Sequence, residues 1–214
     1  QGSHTQISRA AEVSLALTIP SAVALMVIPF TLASVLFQRG ATTVDDAAAI
    51  AMAVAIYGLG LPAFVLQKIL QPLYYAREDT KRPFYFAVVA MVVNVVLAVG
   101  LSPYIGWIAP AIATTLAGWA MFGLLAFGAR GFGLAAKFDS RFHKRIWRIL
   151  AASAAMGIAL WFANVALQPL LGQSWWRGIG LVILIVLGNV VYFGTGQLIG
   201  AFKLREFKGA LKRG

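Results

Sequence analysis

The chain has 214 residues, of which 60% are hydrophobic and only 12% charged, with a formal net charge of +11 and a mean hydropathy of +0.81. Since a soluble domain is about half apolar and about a quarter charged, this composition excludes a protein whose only solvent is water. Cysteine is absent, which excludes a disulfide framework, a thiolate metal site and a cysteine nucleophile. The chain begins with Gln1 rather than Met, so we expect it to be processed or cut from a longer polypeptide.

The apolar residues fall in long blocks that are almost free of charge, whereas the helices of a soluble protein would space them at amphipathic intervals. A helix needs about 20 such residues to cross a bilayer. Six blocks are long enough, so the sequence predicts an all-α, polytopic transmembrane helix bundle with about six spans. In chain order these blocks cover about residues 11–37, 47–75, 84–102, 107–129, 146–168 and 177–201.

Basic residues are distributed unevenly between the two sides of the membrane on which successive connections would lie. Of the 18, all but Arg39 and Arg177 lie at the N-terminus, in or beside the second-to-third connection, in the fourth-to-fifth connection or in the C-terminal tail. Because short cytoplasmic loops carry an excess of Lys and Arg, this pattern predicts that both ends of the chain are cytoplasmic. No basic stretch is interleaved with stacking aromatic residues, so we expect no nucleic-acid partner.

The first block and the start of the second contain residues that mark where helices break or begin. Pro20 and Pro29 each remove a backbone donor, which predicts a kink or break near both. After the first block, Thr43 is placed to cap the next helix, and Asp46 follows three residues later, where a carboxylate is favourable.

The middle of the second block has few bulky side chains, because it contains Gly58, Gly60 and Pro62. These residues also weaken a helix. We interpret these residues as packing or hinge positions rather than as a binding site. The block ends in a compact charged turn that contains Asp79, and Pro83 stands at the start of the third helix, where proline is well tolerated.

Two groups of helices are predicted, separated by the longest loop of the chain. We expect four transmembrane helices in residues 1–130 and a cytoplasmic loop over residues 131–145. Two further transmembrane helices and a basic cytoplasmic tail would occupy residues 146–214. The basic run at 141–148 is most simply an anchor to anionic lipid.

Lys68 is the most informative single residue, because it lies nine residues before Arg77 and therefore inside the second span. An intramembrane lysine that faces a water-filled cavity would attract phosphate. A lysine this near the interface can also extend to the headgroups and have no other role. The sequence leaves both interpretations open.

No catalytic constellation is visible. The two histidines, His4 and His143, lie outside the spans without a partner at metal-ligand spacing, and the spans contain no carboxylate unless Glu12 is buried. Acid–base chemistry would need more ionisable groups than this, so we expect no enzyme, no metal site and no cofactor. We interpret four polar residues in or near the spans as interhelical hydrogen-bond partners rather than substrate contacts. They are Asn94, Asn164, Gln168 and Asn189.

Two segments carry a resemblance to a known family. The first runs Leu-Gly-Leu-Pro-Ala-Phe at 59–64, continues through Lys68, and ends Tyr-Tyr-Ala-Arg-Glu-Asp-Thr-Lys-Arg-Pro at 74–83. The second is the turn Leu-Phe-Gln-Arg-Gly at 36–40, although Thr42 stands where the family usually carries an aromatic residue. Over about residues 8–128 the chain resembles the MurJ (MviN) family of lipid II flippases, which belongs to the MOP exporter superfamily.

The resemblance implies both a fold and a function. That family has fourteen spans, and this chain would correspond to the last six: four completing the second lobe and two extra helices. The implied function is movement of lipid II, the undecaprenyl-pyrophosphate-linked peptidoglycan precursor, across the bacterial inner membrane by alternating access. The implied partners are lipid II, membrane lipids and the missing N-terminal half of the same polypeptide.

The same resemblance implies candidate site residues and a groove for the lipid tail, which would lie between 146–168 and 177–201. The alternatives are another lipid-oligosaccharide flippase or multidrug exporter of the superfamily, or a membrane scaffold that moves nothing. The charged turn at 77–83 and the intramembrane lysine favour the flippase. The positions carried over as substrate-binding are Arg39, Asp46, Lys68 and Asp79, with Gly58, Gly60, Pro62 and Pro83 as structural or hinge positions.

Overall fold

The computed structural model describes residues 2–38, 42–136, 140–173 and 175–201. Within these ranges the regular structure is helical throughout, which confirms the predicted all-α class. The α-helices are α1 Gly2–Val27, α2 Pro29–Phe37, α3 Val44–Tyr75, α4 Lys81–Ile105, α5 Ala109–Gly128, α6 Ser140–Ala166, α7 Gln168–Leu171 and α8 Arg177–Ile199. Short 3₁₀ helices follow α4 and α5, at Gly106–Ile108 and Ala129–Ala136.

The break predicted near Pro29 is confirmed. Ile28 separates α1 from α2 with φ −122° and ψ 41°, and Pro29 occupies the first turn of α2, where its missing N–H leaves no helical bond unmade. Helix α1 continues through Pro20 without interruption. The first predicted block is therefore one span with a short second helix at its end.

By length and composition, five helical runs among the described residues are long and apolar enough to cross a membrane. One of them, Lys81–Phe132, has 52 residues, which would extend about 78 Å and so cannot be one span. It folds back at Gly106, whose φ of +63° lies in the region that favours glycine. The Nδ2 of Asn94 donates to the Oγ1 of Thr114 across the hairpin at 3.3 Å. Because this run crosses twice and the other four runs cross once each, the five runs give the six predicted crossings.

The helices pack in the order α4, α5, α3, α1, α6, α8, with α2 lying against α3 and α8. One apolar core joins α3 to α5 and centres on the buried Tyr74, whose hydroxyl donates to the Leu125 carbonyl oxygen at 2.6 Å. A second core joins α1, α6 and α8 around Ile149 and Leu184. The last two long helices therefore share their core with the first.

The region between the two predicted helix groups is partly helical. The 3₁₀ helix covers Ala129–Ala136, and α6 begins at Ser140, so the basic run at 141–148 forms the first turns of that helix. Residues 137–139 lie outside the described ranges. The division of the chain at 131–145 stays a prediction.

Candidate functional site

An apolar groove of about 240 Å³ lies between α1, α6 and α8. Two of its polar wall residues bond to their own helices: the Oγ of Ser21 donates to the Leu17 carbonyl at 2.8 Å, and the Nδ2 of Asn189 donates to the Ile185 carbonyl at 2.8 Å. The groove is thus left with an apolar surface that suits a hydrocarbon chain. It is lined by Leu17, Pro20, Ser21, Ala24, Ile28, Leu32, Met156, Leu160, Leu184, Ile185, Gly188, Asn189, Tyr192 and Phe193.

Lys68 lies exposed on α3. Helix α3 packs against α1 and α2 on one side and against α5 on the other. No hydrogen bond or ion pair joins Lys68 to another described residue. Tyr57 and Tyr75, which are 41% and 51% exposed, lie eleven residues before and seven residues after it, and at 3.6 residues per turn all three share one face. That face of α3 points away from the side that contacts α1 and α2 and away from the side that contacts α5.

Asp46 lies at the N-terminus of α3, where it completes the predicted cap. Its Oδ2 accepts from the Thr43 backbone N–H at 2.9 Å, and its own N–H donates to the Thr43 Oγ1 at 3.2 Å. This reciprocal pair satisfies two donors at the helix start. Asp46 and Lys68 are 22 residues apart on one helix, or about 33 Å along its axis, so one phosphate cannot contact both in this arrangement.

Asp79 lies beyond the C-terminal end of α3, and its carboxylate bonds to the first turn of α4. Its Oδ1 accepts from the Arg82 backbone N–H at 3.1 Å, and its Oδ2 lies 3.2 Å from the Nε of Arg82. Arg39 lies outside the described residues. The structure therefore does not bring Asp46, Lys68 and Asp79 together, and their roles in substrate binding stay predictions.

The glycines at the middle of α3 are buried at two different helix contacts. A Cβ added at Gly58 would lie 3.1 Å from the Leu25 Cβ of α1 and 3.3 Å from the Ala22 carbonyl oxygen. A Cβ at Gly60 would instead meet Phe64 at 3.0 Å and the Thr115 Oγ1 of α5 at 3.4 Å. These positions need small residues because α3 is packed closely on both sides.

Helix α3 continues through Pro62 without a break. Carbonyl oxygens in the preceding turns accept extra hydrogen bonds from α5: the Thr115 Oγ1 donates to Ile56 and the Trp119 Nε1 to Leu59, both at 3.0 Å. Such bonds stabilise a proline-containing membrane helix. Pro83 is buried in the first turn of α4. Whether these positions move as hinges stays a prediction.

Two of the polar residues interpreted as interhelical partners have that role. Asn94 bonds Thr114 as described above, and the Oδ1 of Asn164 on α6 accepts from the Thr31 Oγ1 of α2 at 2.6 Å. Asn189 instead bonds within α8. No group of His, Asp or Glu among the described residues is arranged to hold a metal ion.

A buried ion pair between α1 and α6 was missed by sequence reasoning. Glu12 is 5% exposed, and its Oε2 lies 2.5 Å from the Nη1 of Arg145. Arg145 was grouped with the basic run assigned to lipid anchoring, so its partner on α1 was not foreseen. The available signal was the single carboxylate in the first block, since a buried carboxylate needs a cationic partner.

Comparison with known proteins identifies the family. The model of the family described as "Lipid II flippase MurJ" matches residues 2–188. The chain is 36% identical over 213 residues to a probable lipid II flippase MurJ of Rhizobium tropici, covering 96% of this chain and 39% of that protein. It is 33% identical over 198 residues to the counterpart in Vibrio cholerae, covering 91% of this chain and 37% of that protein. The chain thus spans about 39% of the length of the curated relatives it matches.

A solved structure of lipid II flippase MurJ in an inward closed conformation superposes with a TM-score of 0.76. The match covers 92% of this chain and 39% of that one at 23% identity, and at this identity it bears on the fold alone. The resemblance seen in the turns at 36–40 and 74–83 is confirmed by the family model, which extends it to residue 188. The chain therefore belongs to the lipid II flippase MurJ family.

Proposed function

We propose that this chain is the C-terminal part of a flippase that moves lipid II across the bacterial inner membrane by alternating access. The observation that carries the proposal is the family match over residues 2–188. The six crossings then correspond to the last six spans of the whole protein, and the remaining spans would come from the part of the polypeptide that precedes Gln1.

The groove between α1, α6 and α8 supports the lipid part of this proposal. Its apolar lining and open side suit one section of a polyprenyl tail, while the polar part of the substrate would lie elsewhere. The family resemblance implies a tail groove between the last two long helices, and the groove described above has α1 as a third wall. A membrane scaffold would have no need of such a surface, and family membership favours lipid II over the other substrates of the superfamily.

We propose further that both ends of the chain are cytoplasmic. The charged α3–α4 turn, with Arg77, Lys81 and Arg82, lies at the same end as the basic start of α6, because six crossings alternate. The opposite end carries the exposed Trp175 and Trp176, which suit a headgroup region.

Cysteine labelling tests this orientation. In intact cells that express the full-length protein, cysteine at Gln173 is expected to react with a membrane-impermeant maleimide, while cysteine at Thr80 should react only after permeabilisation. Both residues are exposed, and Thr80 makes no capping bond with its side chain, so either replacement should preserve the fold. Labelling of Thr80→Cys from outside would contradict the orientation.

The transport activity is tested in cells depleted of their own lipid II flippase. The full-length protein is expected to restore growth and to make lipid II accessible to an impermeant hydrolase added outside spheroplasts. Ala24→Phe, which fills the groove, should lower that accessibility severalfold. The matched variant Ala154→Phe, on an exposed face of α6, should not.

The two variants must first be shown at equal abundance in the membrane. If the wild-type protein is present at normal abundance and lipid II stays inaccessible, the flippase proposal is wrong and another substrate of the superfamily has to be sought. If Ala24→Phe and Ala154→Phe behave alike, the groove has no part in transport.

A further inference from the structure

A second cleft, of about 360 Å³, lies at the tryptophan-bearing end of the bundle between α2, α6, α7 and α8. Unlike the groove, it is rich in polar side chains, and sequence analysis assigned none of them to a common site. Its polar lining consists of Thr31, Ser34, Gln38, Asn164, Gln168 and Arg177.

The hydrogen bonds inside this cleft leave it with a surplus of donors. The side-chain oxygen of Asn164 accepts from Thr31, and that of Gln38 accepts from the Nη1 of Arg177 at 3.1 Å. Each amide oxygen therefore has a partner, whereas neither NH₂ group donates to another described residue, and each carries two N–H donors. No carboxylate is present among the described residues that line the cleft. A wall that combines a guanidinium and amide N–H donors with no carboxylate favours an anion.

Arg177 supplies the positive charge. Its Nε donates to the Leu171 carbonyl at 3.0 Å, so with the bond to Gln38 it uses two of the five N–H donors of its guanidinium. Both acceptors are neutral, and neither ion pair between described residues includes Arg177. The guanidinium is partly buried in the first turn of α8, where the helix dipole disfavours a cation. A bound anion would compensate this charge.

The cleft adjoins the apolar groove. Ile28 lines both. Along α6, Met156 and Leu160 line the groove, and Asn164, one turn further on the same face, lines the cleft. A ligand that filled both would have a hydrocarbon tail joined to an anionic head. The neighbouring Trp175, which is 95% exposed, is typical of the depth at which headgroups lie.

We propose that this cleft binds the phosphate of a membrane lipid whose tail enters the groove, with Arg177 as the principal contact. The planar guanidinium matches the oxygens of a phosphate and retains its charge when partly buried. The amide N–H groups of Gln38 and Asn164 would complete the contacts. The site does not depend on transport, so it can be present even if the proposed flippase activity is wrong.

Binding is measured on the delipidated full-length protein in detergent by native mass spectrometry. The probes are phosphatidylglycerol, a diacylglycerol with the same acyl chains but no phosphate, and inorganic phosphate. Arg177→Gln is expected to raise the Kd of this cleft for phosphatidylglycerol about tenfold or more, because charge-assisted hydrogen bonds are lost. The protein should then carry one bound phosphatidylglycerol fewer than the wild type. Diacylglycerol binding should be weak and unchanged by the substitution.

Arg148→Gln is the matched control, since Arg148 also donates to a backbone carbonyl, that of Gly200 at 3.0 Å, but lies outside the cleft. It should leave the Kd within about twofold. Gln168→Glu adds a negative charge at an exposed cleft residue without removing a structural bond, so it should weaken phosphatidylglycerol binding even if Arg177→Gln fails to fold.

The results separate the possible ligands. Equal phosphatidylglycerol binding by the wild type, Arg177→Gln and Gln168→Glu would overturn the site. Binding of inorganic phosphate as tight as that of phosphatidylglycerol, and equally sensitive to Arg177→Gln, would assign the cleft to a soluble anion and overturn the lipid assignment. Equal affinity for diacylglycerol and phosphatidylglycerol would show that the phosphate is not recognised.

Discussion

Replacement of Arg145 by Met is expected to destabilise the bundle by about 3–5 kcal/mol, the usual effect of removing one partner of a buried ion pair. The side chains of Arg145 and Glu12 are only 16% and 7% exposed, and their 2.5 Å contact joins α1 to α6. Methionine keeps much of the arginine stem, so packing changes little while the Glu12 carboxylate is left without this cation. The measurement is the thermal midpoint of the full-length protein in detergent, which should fall by about 3–4 °C, because the shift per kcal/mol becomes smaller as a chain becomes longer.

The double variant Glu12→Gln with Arg145→Met should recover much of the lost stability, because no charge is then left buried without its partner. Arg148→Met, three residues away on the exposed side of α6, is the control and should shift the midpoint by no more than about 1 °C. Equal losses for Arg145→Met and Arg148→Met would show that the Glu12 pair contributes little. A double variant as unstable as the single one would point to lost packing instead.

The features that could be predicted from the sequence are local ones. The Thr43–Asp46 cap needs residues three apart, and the break at Pro29 follows from the missing N–H of proline itself. The number of crossings follows from block length, and the sharp turn at Gly106 divides the long run Lys81–Phe132 into the third and fourth crossings.

The features that could not be predicted join distant parts of the chain. Glu12 and Arg145 are 133 residues apart, and Gln38 and Arg177 are 139 apart. Their pairing depends on how α6 and α8 pack against α1 and α2. A helix that is apolar nearly all round gives no periodic signal for which face meets which neighbour. For the same reason, the direction in which Lys68 faces was left open, and the donor-rich cleft was not recognised.

Replacement of Lys68 by Met is expected to lower lipid II flipping by about tenfold or more in the full-length protein, while Lys68→Arg should retain at least half of it. Lys68 shares an exposed face of α3 with Tyr57 and Tyr75, and the helices described here leave that face uncovered. In the proposed flippase this face would border the translocation cavity, where an ammonium group would meet the pyrophosphate as a mobile point charge. Arginine keeps the charge and changes the geometry, whereas methionine keeps much of the stem and deletes the charge. Flipping is measured as the lipid II made accessible to the impermeant hydrolase.

Lys144→Met is the matched control, because Lys144 is also exposed but lies in the first turns of α6, among the basic residues assigned to the cytoplasmic surface. It should leave flipping unchanged. A lysine that only extends to the headgroups predicts a different result: methionine at that depth needs no headgroup contact, so Lys68→Met would be fully active. Full activity at wild-type abundance would therefore remove Lys68 from the site. A loss of activity in Lys68→Met must be accompanied by an unchanged thermal midpoint, since only then does it report the missing charge rather than a folding defect.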